Sequence, residues 1–319
     1  MVVLGRNTAL ALMAAAGLLA GSMAPTSAAA LPGKKGPVTA VYVEVNNNPQ
    51  PREVGKYRLA RTGGNAFDIA IIFAANIKAD PGGNPILSFN QNLRSVLQDA
   101  DTQIRPLQRR GIKVLLSVIG DHDGVGVSNL RSREEAAAFA KQLSDAVTEY
   151  GLDRIDFDDE WADYGKGEPV NDHSFPFLVS ALRDHLPDKL ITLYFYGPAK
   201  NKLKYGDIDL AEVFDYSWNP DYGTWAVPRI NLPEDRLAPA AVNFTGTPVE
   251  DAAELARRTV DEGYGAFLTY NLPRSDSHRY ASAFTRELYG SDTVYVGDNV
   301  PFAATPREET SHDMITGRG

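Results

Sequence analysis

Residues 153–160 read Asp153-Arg154-Ile155-Asp156-Phe157-Asp158-Asp159-Glu160. Asp156, Asp158 and Glu160 occupy every second position, with Phe157 and Asp159 between them. A period of two is the period of a strand, so these three carboxylates are expected on one face. Neighbours in such a row stand roughly 6–7 Å apart along the strand. Like charges that close cannot all ionise when buried, which makes the row a candidate seat of acid–base chemistry.

Outward from this strand, apolar runs alternate with helical spacing. Strands are expected at 38–45, 67–74, 114–119, 154–158, 190–196, 213–218, 240–244 and 266–270. Helices are expected at 93–110, with Pro106 able to break or kink it, and at 134–150, 175–185, 249–262 and 280–288. Ser132, with Glu135 three residues on, is placed to cap the second helix, and Gly263 to stop the fourth. Eight strands alternating with helices suggest a single α/β domain, a (β/α)8 TIM barrel, although pattern alone also allows an open doubly wound sheet. Asn46-Asn47-Asn48 follows the first strand where a phosphate-binding fold would carry a Gly-rich loop, which weighs against nucleotide binding.

The spacing Asp153-x-x-Asp156-x-Asp158-x-Glu160 resembles the catalytic signature of family 18 glycoside hydrolases. Further stretches are similar to the endo-β-N-acetylglucosaminidase H branch of that family: Val41-Tyr42-Val43-Glu44-Val45-Asn46-Asn47-Asn48, Lys113-Val114-Leu115-Leu116-Ser117, Trp218-Asn219-Pro220 and Leu268-Thr269-Tyr270-Asn271-Leu272. The resemblance runs from about Pro37 to Tyr289 and implies the closed barrel. It also implies an enzyme that hydrolyses the GlcNAc-β-1,4-GlcNAc bond of the N-glycan core, on high-mannose and hybrid chains. A chitinase with the same mechanism and a catalytically silent glycan-binding barrel are the rival readings.

Barrel enzymes act at the C-terminal ends of their strands, so Glu160 is expected at the mouth with Asp158 and Asp156 below it. A protonated Glu160 there suits a general acid. Asp158 and Glu160 share a strand, so neither is an opposed nucleophile for the other. The resemblance implies instead that the substrate's 2-acetamido oxygen attacks, with Glu160 as acid and then base. By the same resemblance Asp158 orients the acetamido nitrogen, Asp156 hydrogen-bonds Asp158, Ser117 supports the aspartates from below, and Tyr216 donates to the acetamido carbonyl. Trp161, Tyr164, Trp218, Tyr222 and Trp225 are candidate sugar platforms. Tyr270 and Asn271, which stand where family chitinases usually place a tryptophan, are expected to bind substrate. Asn46, Asn47 and Asn48 are expected to touch glycan, and Asp121 and His122 either contact sugar hydroxyls or merely form a polar turn. Asp159 and Asp163 are expected to be solvated loop charges. Arg154 replaces the usual family glycine and is expected either to reach the lower rim or to pair with Asp156.

Composition limits the alternatives. The 319 residues include no cysteine and five scattered histidines, so neither thiolate chemistry nor a zinc site is expected; no cofactor or metal is called for. A net charge of −9 without a basic run argues against nucleic acid. Arg6, the apolar run 8–21 and Ala28-Ala29-Ala30 form a signal-peptide pattern over 1–30, too short in its apolar part to favour a membrane anchor. A flexible leader at 31–36, a catalytic barrel at 37–298 and a disordered tail at 299–319 complete the expected organisation. The mature chain is expected to be extracellular, free of the membrane and monomeric.

Overall fold

The computed structural model describes residues 34–297. The expected signal peptide and tail, and most of the leader, lie outside them. Eight parallel strand positions form the frame: β1 Val38–Glu44, β2 Ile69–Ala79, β3 Lys113–Gly120, β4 Arg154–Asp158, β5 Leu190–Tyr194, β6 Tyr216–Trp218, β7 in two pieces (Leu237–Ala238 and Ala240–Asn243), and β8 Ala266–Tyr270. Each pairs with the next in order, and β8 pairs with β1 (Val38 with Ala266). Pro239, which has no N–H to give, divides β7. Its first piece pairs with β6 (Ser217 with Leu237) and its second with β8 (Ala241 with Leu268). The sheet therefore closes through this broken strand, and the (β/α)8 barrel is preferred over an open sheet.

Strand periodicity decides what faces inward. Ala40 and Tyr42 of β1, Ile69 and Ile71 of β2, Leu115 of β3, Tyr194 of β5, Tyr216 and Trp218 of β6 and Leu268 of β8 pack as the barrel interior. The alternate, largely β-branched set (Val41, Val43, Ile72, Val114, Leu116, Ile155) packs outward on the helices. Alanines at 40, 238, 241 and 266 leave the room that Tyr42, Tyr216 and Trp218 fill.

The outer layer contains Arg133–Tyr150 packed on Ser174–His185, and Val249–Asp261 packed on His278–Tyr289. Ser132 caps the first of these by accepting the Glu135 N–H, while the Glu135 carboxylate returns to Arg131. The expected helix 93–110 is three short pieces, with Pro106 in the opening turn of the last, where its missing N–H costs nothing. Three connections depart from the repeat. Among the described residues, β1–β2, β5–β6 and β6–β7 carry 3-10 turns and short strands rather than α-helices. A small antiparallel sheet, Tyr57–Leu59 with Thr293–Tyr295, ties the two ends of the domain together.

At the lower rim three aspartates act alike. Asp68, Asp153 and Asp215 each immediately precede an even-numbered strand. Each accepts the N–H of a residue at the start of the preceding strand: Thr39 at 2.8 Å, Val114 at 2.9 Å and Ile191 at 2.8 Å. Each donates its own N–H to that same residue's carbonyl. The strands are thus latched in pairs, β1 with β2, β3 with β4 and β5 with β6. Asp153, the first residue of the acidic signature, belongs to this scaffold at the end of the barrel opposite Glu160.

Candidate active site

β4 delivers the acidic row. Asp156 is fully buried, level with Ser117 of β3 and Thr192 of β5. Four neutral donors saturate its carboxylate: Tyr42 Oη at 2.8 Å and Ser117 Oγ at 2.9 Å on Oδ2, Thr192 Oγ1 at 2.5 Å and Trp218 Nε1 at 3.0 Å on Oδ1. Burial raises its pKa and these donors oppose the rise. The expected hydrogen bond from Asp156 to Asp158 is absent, because both Asp156 oxygens are already engaged. Ser117 supports Asp156 from the neighbouring strand, level with it and not beneath it. Tyr42 and Thr192 were not singled out, although strand parity places both on the inner face.

Asp158, two residues up, is 4% exposed, and its Oδ1 has no hydrogen-bond partner. Burial, with the charges of Glu160, Asp156 and Asp159, pushes it well above the usual carboxylate range. Glu160 is half-buried at the mouth and is raised by burial, against the opposing hydrogen bond from Trp161 Nε1 at 3.0 Å. Burial thus favours the protonated form at Asp158 as well as at Glu160, where the proton is expected. An unpaired buried carboxyl oxygen beneath a raised-pKa acid is an unfinished hydrogen-bond arrangement, suited to a polar group of a ligand.

Above the row opens a cavity of about 910 Å3. Tyr42, Tyr194, Tyr222 and Tyr270 make its floor and one wall, and Trp161, His122 and Asp121 the opposite rim. Tyr222 stacks on Tyr270 with ring centroids 4.9 Å apart, and Tyr194 donates to the Pro220 carbonyl at 2.6 Å. β2 runs past the barrel and turns back as Pro85–Ser88, extending the cavity along Asn76, Lys78 and Phe89. The other cavity carboxylates are engaged: Glu44 accepts the Asn46 N–H at 2.9 Å and Asp121 pairs with Lys78 at 2.6 Å. Among the described residues no cluster of acids and histidines is arranged to hold a metal ion.

Several sequence expectations are corrected. Tyr216 lies level with Thr192, one inward step below the cavity, stacked under Trp218 and influenced by Asp215, Asp68 and Arg154. Trp218 is fully buried and anchors Asp156 instead of meeting solvent. Trp225 faces the outer layer, with Arg258 4.1 Å over its ring. Tyr164 is a brace whose hydroxyl binds the Asp159 carboxylate. Asn48 is buried, its amide donating to the Leu272 carbonyl, and Asn271 accepts the Glu44 N–H. Asn46 borders the cavity; Asn47 is exposed outside its lining. Arg154 makes no ion pair with Asp156. Its guanidinium sits at the lower rim near Asp153 and Asp215, and burial lowers its pKa to about 10.

Asp159 is the largest reversal. It is 4% exposed and accepts from Ser128 Oγ at 2.6 Å, Ala199 N at 2.7 Å and Tyr164 Oη. It clamps the loop that carries Glu160. Asp163 does remain partly exposed, bridging His122 and Lys166. Two glycines press on the same loop: a side chain at Gly120 would meet Ala162 N at 2.4 Å, and one at Gly197 would meet Asp159 O at 2.0 Å. Among the described residues, all three non-glycine residues with positive φ are here: His122, Trp161 and Asp163. Each such position costs about 1–3 kcal/mol, so the surrounding contacts must enforce it.

Comparison with known proteins agrees with this geometry. Residues 41–223 match the model of the glycosyl hydrolases family 18. The chain is 48% identical over 269 residues to an endo-β-N-acetylglucosaminidase of a Flavobacterium species, covering 83% of this chain and 85% of that one. It is 28% identical to endo-β-N-acetylglucosaminidase F1 of Elizabethkingia meningoseptica, covering 82% and 80%. The structure superposes on EndoBT-3987 of Bacteroides thetaiotamicron, solved with a Man5GlcNAc product, with TM-score 0.70 and 25% identity. That match covers 82% of this chain and spans 63% of the longer Bacteroides chain. The signature on β4, the closed barrel and these relatives agree: the chain belongs to the glycosyl hydrolases of family 18.

Proposed function

We propose that this chain is an endo-β-N-acetylglucosaminidase acting on N-linked glycans, which cleaves between the two core GlcNAc residues by a retaining, substrate-assisted route. The observation that carries the mechanism is Asp158: a buried carboxyl with a free oxygen at the end of β4, two residues before Glu160. Glu160 donates its proton to the glycosidic oxygen. As that bond breaks, the 2-acetamido oxygen of the sugar attacks its own anomeric carbon and forms an oxazolinium. Asp158 takes the acetamido N–H and balances the positive charge. Tyr222, next to Asp158 and Tyr270 in the cavity, replaces Tyr216 as the donor to the acetamido oxygen. Glu160, now a carboxylate, draws a proton from water, which opens the oxazolinium with a second inversion. The engagement of Glu44 and Asp121 by other partners supports a substrate-borne nucleophile, since among the described residues the other carboxylates lining the cavity already have partners.

The curated relatives are named for this activity, and the structural neighbour holds a Man5GlcNAc product, which supports an oligomannose chain as substrate. The N-terminal pattern supports secretion. The test is mass spectrometry of an oligomannose glycoprotein after incubation. One GlcNAc should remain on each cleaved asparagine, and the released glycan should emerge first as the β-anomer. Conversion of asparagine to aspartate would instead mean amidase chemistry, and an initial α-anomer would exclude the neighbouring-group route. Glu160→Gln should abolish hydrolysis while retaining glycan binding.

A further inference from the structure

We infer that Trp161 is a positioning residue for the general acid, and that His122 and Asp163 hold its indole in place. This rests on the assignment of Glu160 as the acid. The indole Nε1 donates to Glu160 Oε2 at 3.0 Å, so one carboxyl oxygen is tied and the other is left for the substrate. The ring itself is 61% exposed, so no core packing fixes it. What fixes it is the neighbouring loop. His122 N donates to Trp161 O at 2.7 Å, with Gly120 N on Glu160 O at 3.0 Å and Gly124 N on Ala162 O at 2.8 Å on either side. The His122 ring lies 5.1 Å from the indole, and its Nδ1 is 3.1 Å from Asp163 Oδ2. Lys166 Nζ holds the same Asp163 oxygen at 2.8 Å. The three positive-φ residues are the members of this clamp, so strained backbone is concentrated where it aims one side chain.

The groups that face Glu160 show what the indole adds. Below it stands Asp158; Tyr194 of β5 and Tyr270 of β8 face it across the cavity. His122, Asp163 and Lys166 lie outward, behind the indole, and Lys78 at the rim is spent on Asp121. Among the described residues no cation pairs with Glu160, so the Trp161 N–H is the hydrogen bond that favours its charged form. That form is the one needed after the first step, when Glu160 turns from acid to base.

The test is Trp161→Phe, which keeps a ring against His122 and removes only the donor. Its kcat should fall roughly tenfold with KM nearly unchanged, as expected for lost orientation and not lost binding. The alkaline limb of its pH–rate profile should move upward by about half a pH unit, because the carboxylate loses a donor. His122→Ala, which frees the indole, should move the limb the same way by less. A merely structural role would lower activity without moving the limb. Profiles for both variants that overlay the wild type would overturn the inference. Glu160→Gln separates the two levels of argument: near-wild-type turnover would defeat the acid assignment and this inference with it. An inactive Glu160→Gln beside an unmoved Trp161→Phe profile would defeat the role of the indole alone.

Discussion

A carboxyl that is 4% exposed and faces Glu160, Asp156 and Asp159 retains its proton to higher pH than it would in an unfolded chain. The unfolded value is about 3.9, so the contribution of Asp158 to stability is complete below that pH and is lost as pH rises through the folded pKa. Asp158→Asn carries no such charge. The variant should gain melting temperature relative to the wild type as pH increases, while its kcat falls by about 10²–10³ through lost charge balance. Parallel melting curves against pH for both proteins would show that Asp158 is not the strained acid of the row. Arg154→Gly, at the far rim, should leave the pH–rate profile of hydrolysis in place; a shift would mean that the guanidinium reaches Asp156 after all. Parity made Asp156 and Asp158 legible in the sequence, because alternation along a strand needs no knowledge of neighbours; Glu160 keeps the spacing two residues past the strand's end. Asp159 was not legible. β4 ends at Asp158, and beyond that point direction is set by the loop's partners at Ser128, Tyr164 and Ala199. Trp218 and Trp225 were misjudged for a related reason: an aromatic at a strand end suits a sugar platform, a core or a helix contact equally well.

At the scale of the element, the aspartate preceding each even-numbered strand through β6 does for the lower rim what helix caps do elsewhere: it supplies an acceptor to a backbone N–H at a strand start. Asp153 also accepts from Gln108 Nε2 at 2.9 Å. Asp153→Ala leaves the buried Val114 N–H without its side-chain acceptor and should cost about 1–3 kcal/mol. Chemical denaturation should register that loss while KM for the glycan stays unchanged. A change in KM with stability intact would place Asp153 in the site, among the other residues of the signature. The strands themselves were largely legible, with β4 and β8 at their observed bounds. β2 was expected to end at 74 and runs to Ala79, because Pro85–Ser88 folds back on it and supplies partners that no local pattern reveals. The stretches between β5 and β7 hold pieces of two or three residues, too short for any periodicity to show.

For the molecule as a whole, the alternation of strands and helices carried the architecture, but it could not say where the sheet closes. Closure rests on β7, a strand of two pieces joined at Pro239. The β6–β7 contact has only two register pairs, and no aspartate latch joins β7 to β8 among the described residues. This seam has the fewest ladder bonds to break, so its amides should exchange with solvent before those of β1 to β5. Hydrogen–deuterium exchange under native conditions would show 237–243 labelled first; uniform protection around the ring would contradict it. The same seam lies between Tyr222, which follows β6, and Tyr270, which ends β8, and those two rings stack to form the aromatic wall of the cavity. On the proposed reading, opening at this seam would fall on the side of the cavity where the sugar lies, while Glu160, just past β4, stays on the latched half. The freed oligosaccharide would then have a yielding wall to leave by, and the proposed catalytic proton a rigid one to wait on.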